Sequence, residues 1–265
     1  MYVDGCYGRD PSFCNEMSAD PDMATLAALL VEPARAAILM HLIDGRSWTA
    51  AELAHVAGVK APAASVHLRK LTDGHLICVT SAGRHRYFRI ADAEVARRLE
   101  QLAFLAPAST PVTPGAKRAA ENLRDCRLCY DHLAGRVGVF LTQRMIELSW
   151  LAEEEPWYRL TTQGQRALSP LNMEGVDGRT CMDWSERRFH LAGALGSQLA
   201  QAFINKQWLQ RDSKSRALSI TPLGVESLSA MFGASVTLRP RCGGAGGNSG
   251  RFIVDKHQTP LVFGK

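Results

Sequence analysis

A mainly α-helical chain with small β wings, divided into two domains, is what this sequence predicts. Three observations carry that expectation. Residues 20–106 show helical apolar spacing around two short β-forming runs. The stretch Pro107 to Gly115, with three prolines, then breaks the pattern. Residues 116–233 contain an internal repeat. The 265 residues are 46% hydrophobic and 22% charged, which suits folded domains with sizeable cores rather than wholesale disorder.

The N-terminal elements follow from local chemistry. Asp20-Pro21 reads as a helix cap followed by proline at the first helical position, with Leu26, Leu29 and Leu30 on one face. Pro33 starts a second helix, with Ile38, Leu39 and Leu42 inward, stopped at Asp44-Gly45. Thr49-Ala-Ala-Glu52 is a capping box: hydroxyl and carboxylate each satisfy a backbone N–H at the helix start. The short helix it opens turns Leu53, Val56 and Ala57 inward and ends at Gly58. Pro62 opens the next, carrying Val66 and Leu68 to Thr72. Residues 76–80 read as a strand, Ser81-Ala82-Gly83 as a turn, and Arg84–Ile90 as a second strand. Asp92 caps a last helix through Val95, Leu99 and Leu102 to Leu105.

That order of elements is a winged helix-turn-helix. Thr49–Ala57, the Gly58-Val59-Lys60 turn and Pro62–Thr72 supply the supporting helix, the turn and a helix able to enter a major groove. Residues 60–89 hold six basic residues against Asp73 alone, a concentration suited to a polyanion. The expected contacts to double-stranded DNA are Lys60, Ser65, His67, Arg69 and Lys70 on or beside the second helix, and Arg84, His85 and Arg86 on the wing. A winged helix used only for protein contacts is the bland alternative, which the basic wing disfavours.

From Leu26 to about Leu105 the chain resembles the ArsR/SmtB class of winged helix-turn-helix transcriptional regulators. The resemblance rests on Thr49-Ala-Ala-Glu-Leu-Ala-His-Val-Ala-Gly-Val, Ser65-Val-His-Leu-Arg-Lys-Leu71 and Asp73-Gly-His-Leu-Ile. It covers roughly a third of the chain. It implies a homodimer built from the outer helices, here the apolar faces of residues 23–30 and 92–105, and a DNA-binding regulator, expected to be a repressor. The Cys-x-Cys pair that metal-sensing members often place before the turn is absent, since Thr49–Ala57 holds no cysteine. The start of the reading helix, Lys60-Ala-Pro-Ala-Ala, is poor in hydrogen-bonding side chains, so shape readout is expected to contribute.

The remaining half implies more than DNA binding. His132-Leu-Ala-Gly recurs as His190-Leu-Ala-Gly, Ile146 as Ile204, and Trp150-Leu151 as Trp208-Leu209. Further on, Thr161 and Gly164 recur as Thr221 and Gly224. This predicts a helical C-terminal domain, 116–233, of two related helix–β–helix units. Within it Cys126, Cys129 and His132 follow one another at three-residue steps, which on a helix lie about 60° apart. The second unit offers Cys181, Asp183 and His190. Thiolates beside imidazole bind Zn²⁺, another thiophilic metal or As(III), or form a redox pair. The two clusters converge if the units pack about a pseudo-twofold. Equally, the cysteines can be small buried hydrophobes, and the Ala/Gly positions a device for close packing. Tyr130, Trp150, Trp157, Trp184 and Trp208 offer a small-molecule pocket or a haem site, or simply core.

No run approaches the roughly 18 apolar residues of a membrane span, and the start lacks a secretory pattern, so a cytoplasmic protein without a membrane partner is expected. Seven widely spread cysteines do not form a disulfide framework. Residues 1–19 read as a flexible leader, or as lying upstream of a true start at Met17 or Met23, and residues 234–265 as a disordered tail. A regulator rather than an enzyme is expected. The alternatives are a thiol oxidoreductase using Cys126 and Cys129, and an architectural DNA-binding protein without an effector.

Overall fold

A computed structural model describes residues 21–107, 110–173, 177–233, 236–239 and 251–254. The N-terminal domain runs α1 (Met23–Leu30), α2 (Pro33–Leu42), β1 (Trp48–Thr49), α3 (Ala50–Ala57), α4 (Ala61–Asp73), β2 (Ile77–Ala82), β3 (His85–Ile90) and α5 (Ala93–Leu105). The expected order holds, with small shifts. Asp22, not Asp20, caps α1 by accepting from the Thr25 N–H; Asp20 lies outside the described residues. The Thr49–Glu52 capping box forms in full, and Gly58 ends α3 in the left-handed conformation, φ +66°. β2 and β3 pair antiparallel, and β1 adds to the far side of β3.

The core of this domain is Ile38, Leu39 and Leu42 of α2, Leu53 of α3, Leu68 and Leu71 of α4, Phe88 and Ile90 of β3, and Leu99 of α5. Arg35 is buried and donates to the Ala28 and Leu29 carbonyls, so it satisfies the end of α1 and fixes the α1–α2 corner. Helix α1 buries no residue, and Leu102 and Leu105 of α5 stay exposed. These are the apolar faces expected to pair in a dimer.

The second half differs from its predicted local structure. Pro114 and Gly115, read as linker, begin α6 (Pro114–Asp125), capped by Thr113. Then follow β4 (Arg127–Cys129), β5 (His132–Ala134), α7 (Gly135–Glu147), β6 (Leu151–Glu154), β7 (Trp157–Leu160) and α8 (Thr162–Leu168), which continues into a 3₁₀ turn. The same order returns as β8 (Gly178–Met182), β9 (Phe189–Ala192), α9 (Gly193–Asn205), β10 (Leu209–Arg211), β11 (Leu218–Ile220) and α10 (Pro222–Phe232). Each unit is thus the expected helix–β–helix with a further hairpin in front of it. Strands β6 to β9 form one four-stranded sheet, so the two units share it. Their apolar residues make one core, with Val137, Leu141 and Met145 of α7 against Leu195, Leu199 and Phe203 of α9.

The region read as a disordered tail contains β12 (Val236–Arg239) and β13 (Arg251–Val254), paired antiparallel; its other residues beyond 233, and those of the leader, lie outside the described residues. Among the described residues no single helix is long and apolar enough to cross a membrane.

The two halves are joined by buried contacts as well as by the chain. Glu100, on the inner face of α5, is 1% exposed and pairs with Arg216, while its other oxygen lies 3.9 Å from Arg127. Arg46 donates to the carbonyls of Asp212 and Ser215. Tyr130, between β4 and β5, packs on the N-terminal core and against Gly45.

Candidate functional site: a nucleic-acid interface and a buried cysteine–histidine cluster

The DNA-reading helix presents a narrower polar face than its sequence suggested. On α4, Ala64, Leu68 and Leu71 face inward at i, i+4 and i+7. The outward side carries Pro62, Val66, Arg69, Lys70 and Asp73, with Lys60 at its cap. Val66 is 50% exposed, because it sits about 200° around the helix from Leu68. Ser65 is half-buried and its hydroxyl donates back to the Ala61 carbonyl, 3.1 Å away. His67 is also half-buried, with Nδ1 enclosed. Arg69, Lys70 and Lys60 are therefore the open members of the expected set.

The wing is open. Ala82 pairs with His85 across the two-residue turn Gly83-Arg84, and Gly83 supplies the positive φ, +58°, that such a turn needs at its first position. Arg84, His85 and Arg86 are all exposed around it. At this tip Arg84 donates to the His85 ring and Arg86 lies over the Phe88 ring.

The second site is in the C-terminal half. Cys126, Cys129 and His132 do not lie on a helix. They span the end of α6 and the β4–β5 hairpin, and this changes their grouping. In an extended chain positions three apart face opposite sides. Cys126 turns with Leu128 into the apolar core, and burial pushes its thiol up to about 12. Cys129 turns the other way, in register with His132 across the Tyr130-Asp131 turn. In the second unit Cys181 is in register with His190. Each hairpin therefore sets one cysteine opposite one histidine, and the two hairpins meet.

The ligand atoms of Cys129, His132, Cys181 and His190 all lie within 4.8 Å of one another, and all four residues are buried. The two sulfurs are 3.9 Å apart. The imidazoles stack at 5.1 Å between centroids. Gly138 and Gly196 permit this: a Cβ at Gly196 would lie 2.6 Å from the Leu191 carbonyl oxygen and 3.2 Å from the His132 Cβ. The hydrogen bond to Cys181, together with burial, pushes the Cys129 thiol up to about 12.

Asp183 is not a member of the cluster but its support. Its Oδ1 accepts from the backbone of Ser185 and Glu186 and from the Ser185 hydroxyl. Its Oδ2 accepts from Arg127 and the Gly135 N–H and lies 3.7 Å from His190 Nδ1. Burial opposes ionisation of this carboxyl, but Arg127 and His190 overcome it and hold it far below the usual range. The expected aromatic or haem pocket does not assemble. Trp150 and Trp208 pack on Phe232 and Phe203 in the core, whereas Trp184 and Trp157 stack on Arg127 and Arg179.

Residues 30–80 match the family model described as a helix-turn-helix domain. Over 213 residues the chain is 38% identical to YdfF of Bacillus subtilis (strain 168), an uncharacterized HTH-type transcriptional regulator; the match covers 77% of this chain and 94% of that protein. The chain belongs to the HTH-type transcriptional regulators. Its N-terminal domain has the element order of a winged helix-turn-helix. Solved structures similar to that part include the homodimeric winged helix-turn-helix domain of Mb0332 from Mycobacterium bovis, a possible ArsR-family regulator. It is 26% identical over 34% of this chain and 89% of that chain, with a TM-score of 0.30. Another is the cadmium metal-sensor CMTR of Mycobacterium tuberculosis, 31% identical over 34% of this chain and 94% of that chain, with a TM-score of 0.28. The match to YdfF is long enough to include part of the C-terminal half, so that half is not peculiar to this chain.

Proposed function

We propose that this HTH-type regulator is a homodimeric repressor whose C-terminal half senses an effector at the Cys129, His132, Cys181 and His190 cluster. The observation that carries the reading is the buried ionic bridge from that cluster to the DNA-binding domain. His190 faces Asp183, Asp183 binds Arg127, and Arg127 and Arg216 face Glu100 on α5. Helix α5 also offers Leu102 and Leu105 to a second copy. In a dimer that helix sets the spacing of two reading helices, about 34 Å for one turn of DNA. A change at the cluster that moves α5 alters both half-sites together, and a coupling of about 1–3 kcal/mol, or 5–150-fold in affinity, is ordinary for such a switch.

The test is a mobility shift on the DNA upstream of the protein's own gene, with and without Zn²⁺, As(III) and thiol oxidants. The effector is expected to shift affinity in the wild type and not in Cys129→Ser with Cys181→Ser. Unchanged affinity under every treatment refutes the sensing role while leaving DNA binding intact. The wing is tested separately. Arg84→Ala with Arg86→Ala is expected to weaken binding to all sequences and to lower the salt slope by roughly 1 for each lost phosphate contact. A slope identical to wild type removes these residues from the interface.

A further inference from the structure

We infer that Cys129, His132, Cys181 and His190 form a closed, four-coordinate site for one divalent thiophilic cation of the zinc class. The inference deepens the sensor reading and rests on it only for the consequence at DNA; the site itself is argued from chemistry.

The spacing comes first. With metal–sulfur bonds of about 2.3 Å and metal–nitrogen bonds of about 2.0–2.1 Å, a tetrahedral site has ligand–ligand edges of roughly 3.3–3.8 Å. The sulfurs already stand 3.9 Å apart, and no pair of ligand atoms exceeds 4.8 Å. Closing on an ion needs a contraction of about 1.5 Å at most. The hairpin registers Cys129–His132 and Cys181–His190 provide two such pairs on rigid strands.

The second argument is an unmet need. Both histidines are more than nine-tenths buried, and the Nε2 of each has no hydrogen-bond partner. An enclosed imidazole nitrogen left unpaired is costly. The other nitrogen of each ring faces a carboxylate: His132 Nδ1 is 3.0 Å from Asp131, and His190 Nδ1 is 3.7 Å from Asp183. The Asp131 contact orients the His132 ring, the usual support of a metal-bound histidine, and Asp183 stands behind His190 Nδ1 without a hydrogen bond to it. The two Nε2 atoms and two sulfurs are then the donors.

The third argument is charge. On binding, each thiol gives up its proton to solvent and each imidazole binds neutral. Two thiolates and two imidazoles carry a charge of −2, which cancels a dication. The buried site thus ends neutral, as its apolar walls, Ala134 and Ala192, require. The mixed sulfur and nitrogen set favours zinc-class ions over magnesium or calcium, which take oxygen.

Co²⁺ is the probe. Titrated into the full-length, reduced and metal-free protein, it is expected to give visible d–d bands and a thiolate charge-transfer band that saturate at one equivalent per chain. Zn²⁺ should bleach both. Cys126→Ala should retain the bands, and Cys129→Ser should lose the charge transfer from one sulfur. Asp131→Ala, which alters an exposed carboxylate, should weaken binding by about 10–100-fold. Wild type alone gives an independent reading: in urea near the unfolding midpoint, where both buried thiols open to solvent, Zn²⁺ should protect Cys129 and Cys181 from alkylation while Cys78 stays reactive. Absence of thiolate bands, or alkylation of Cys129 and Cys181 unaffected by Zn²⁺, overturns the proposal. One ion bound with unchanged DNA affinity supports the site and refutes the sensor reading, so the two failures are distinct.

Discussion

Glu100→Gln is expected to destabilise the folded chain by about 3–5 kcal/mol, far more than any surface charge change on the same helix. Glu100 is buried between Arg216 and Arg127, and Arg127 is fully enclosed. With the carboxylate gone, Arg127 keeps Asp183, whereas Arg216 loses its acid among the described ion pairs. An uncompensated buried guanidinium is the cost. Glu94, nearly two turns earlier, pairs with Arg97 and Arg98 in solvent, so Glu94→Gln should leave the midpoint unchanged within error. Urea unfolding measures both; the Glu100 variant should lower the midpoint without changing the slope. A loss below about 1 kcal/mol would mean that the interface between the two halves is wet. Acid gives a second reading. Burial alone would raise the Glu100 carboxyl, but Arg216 and Arg127 outweigh it and hold it below its ordinary 4.5. A lowered carboxylate stabilises fully above its unfolded value and loses that contribution as the pH falls through the folded one. The gap between wild type and Glu100→Gln should therefore shrink below about pH 4.5.

Glu100 also shows why part of the molecule was illegible in the sequence. A charged residue on an amphipathic helix reads as solvent-facing, and its partner Arg216 lies 116 residues away. No local pattern links them. The N-terminal domain was legible because its signals are local. The Thr49–Glu52 box, Gly58 and the Asp92 cap each act within four residues of themselves. The exposure of Val66 was not legible although its helix was found, since membership of a helix does not say which side meets the core. The cluster was legible in part. Repetition of His-Leu-Ala-Gly identified both histidines and left their convergence conditional on how the two units pack. The three-residue steps of Cys126, Cys129 and His132 fit a helix and a tight hairpin alike. The alternation in Arg127-Leu128-Cys129, followed by a Tyr-Asp turn, favours the hairpin and was the available signal. With the hairpin, Cys126 leaves the cluster and Asp183 becomes a support rather than a ligand.

The repeated glycines were open to a bland reading, as small residues that ease helix packing, and the structure makes that packing the means of building the cluster. Gly196→Ala is the test. In an ordinary helix interior alanine is better than glycine by about 0.5–1 kcal/mol. At Gly196 the added Cβ would lie 2.6 Å from the Leu191 carbonyl oxygen, well inside contact distance, and the obstacle is backbone. Helix α9 must retreat from β9, or the hairpin must move. His190 is the residue before Leu191, and His132 touches the same added atom from the other unit. The substitution is therefore expected to reverse the usual sign and cost about 1–3 kcal/mol by overpacking. It should also weaken Co²⁺ binding by about 10–100-fold, the loss typical of disturbed support around a metal site. Gly115→Ala is the control: it lies in α6 with nothing within 4 Å of its added Cβ, so it should be neutral or stabilise by up to about 1 kcal/mol. Urea midpoints and Co²⁺ titrations on the two variants read the effects separately. If Gly196→Ala is as stable as Gly115→Ala, the two hairpins do not press together as described. If it is destabilised yet binds Co²⁺ as wild type does, the close approach serves the core alone and the cluster tolerates its loss.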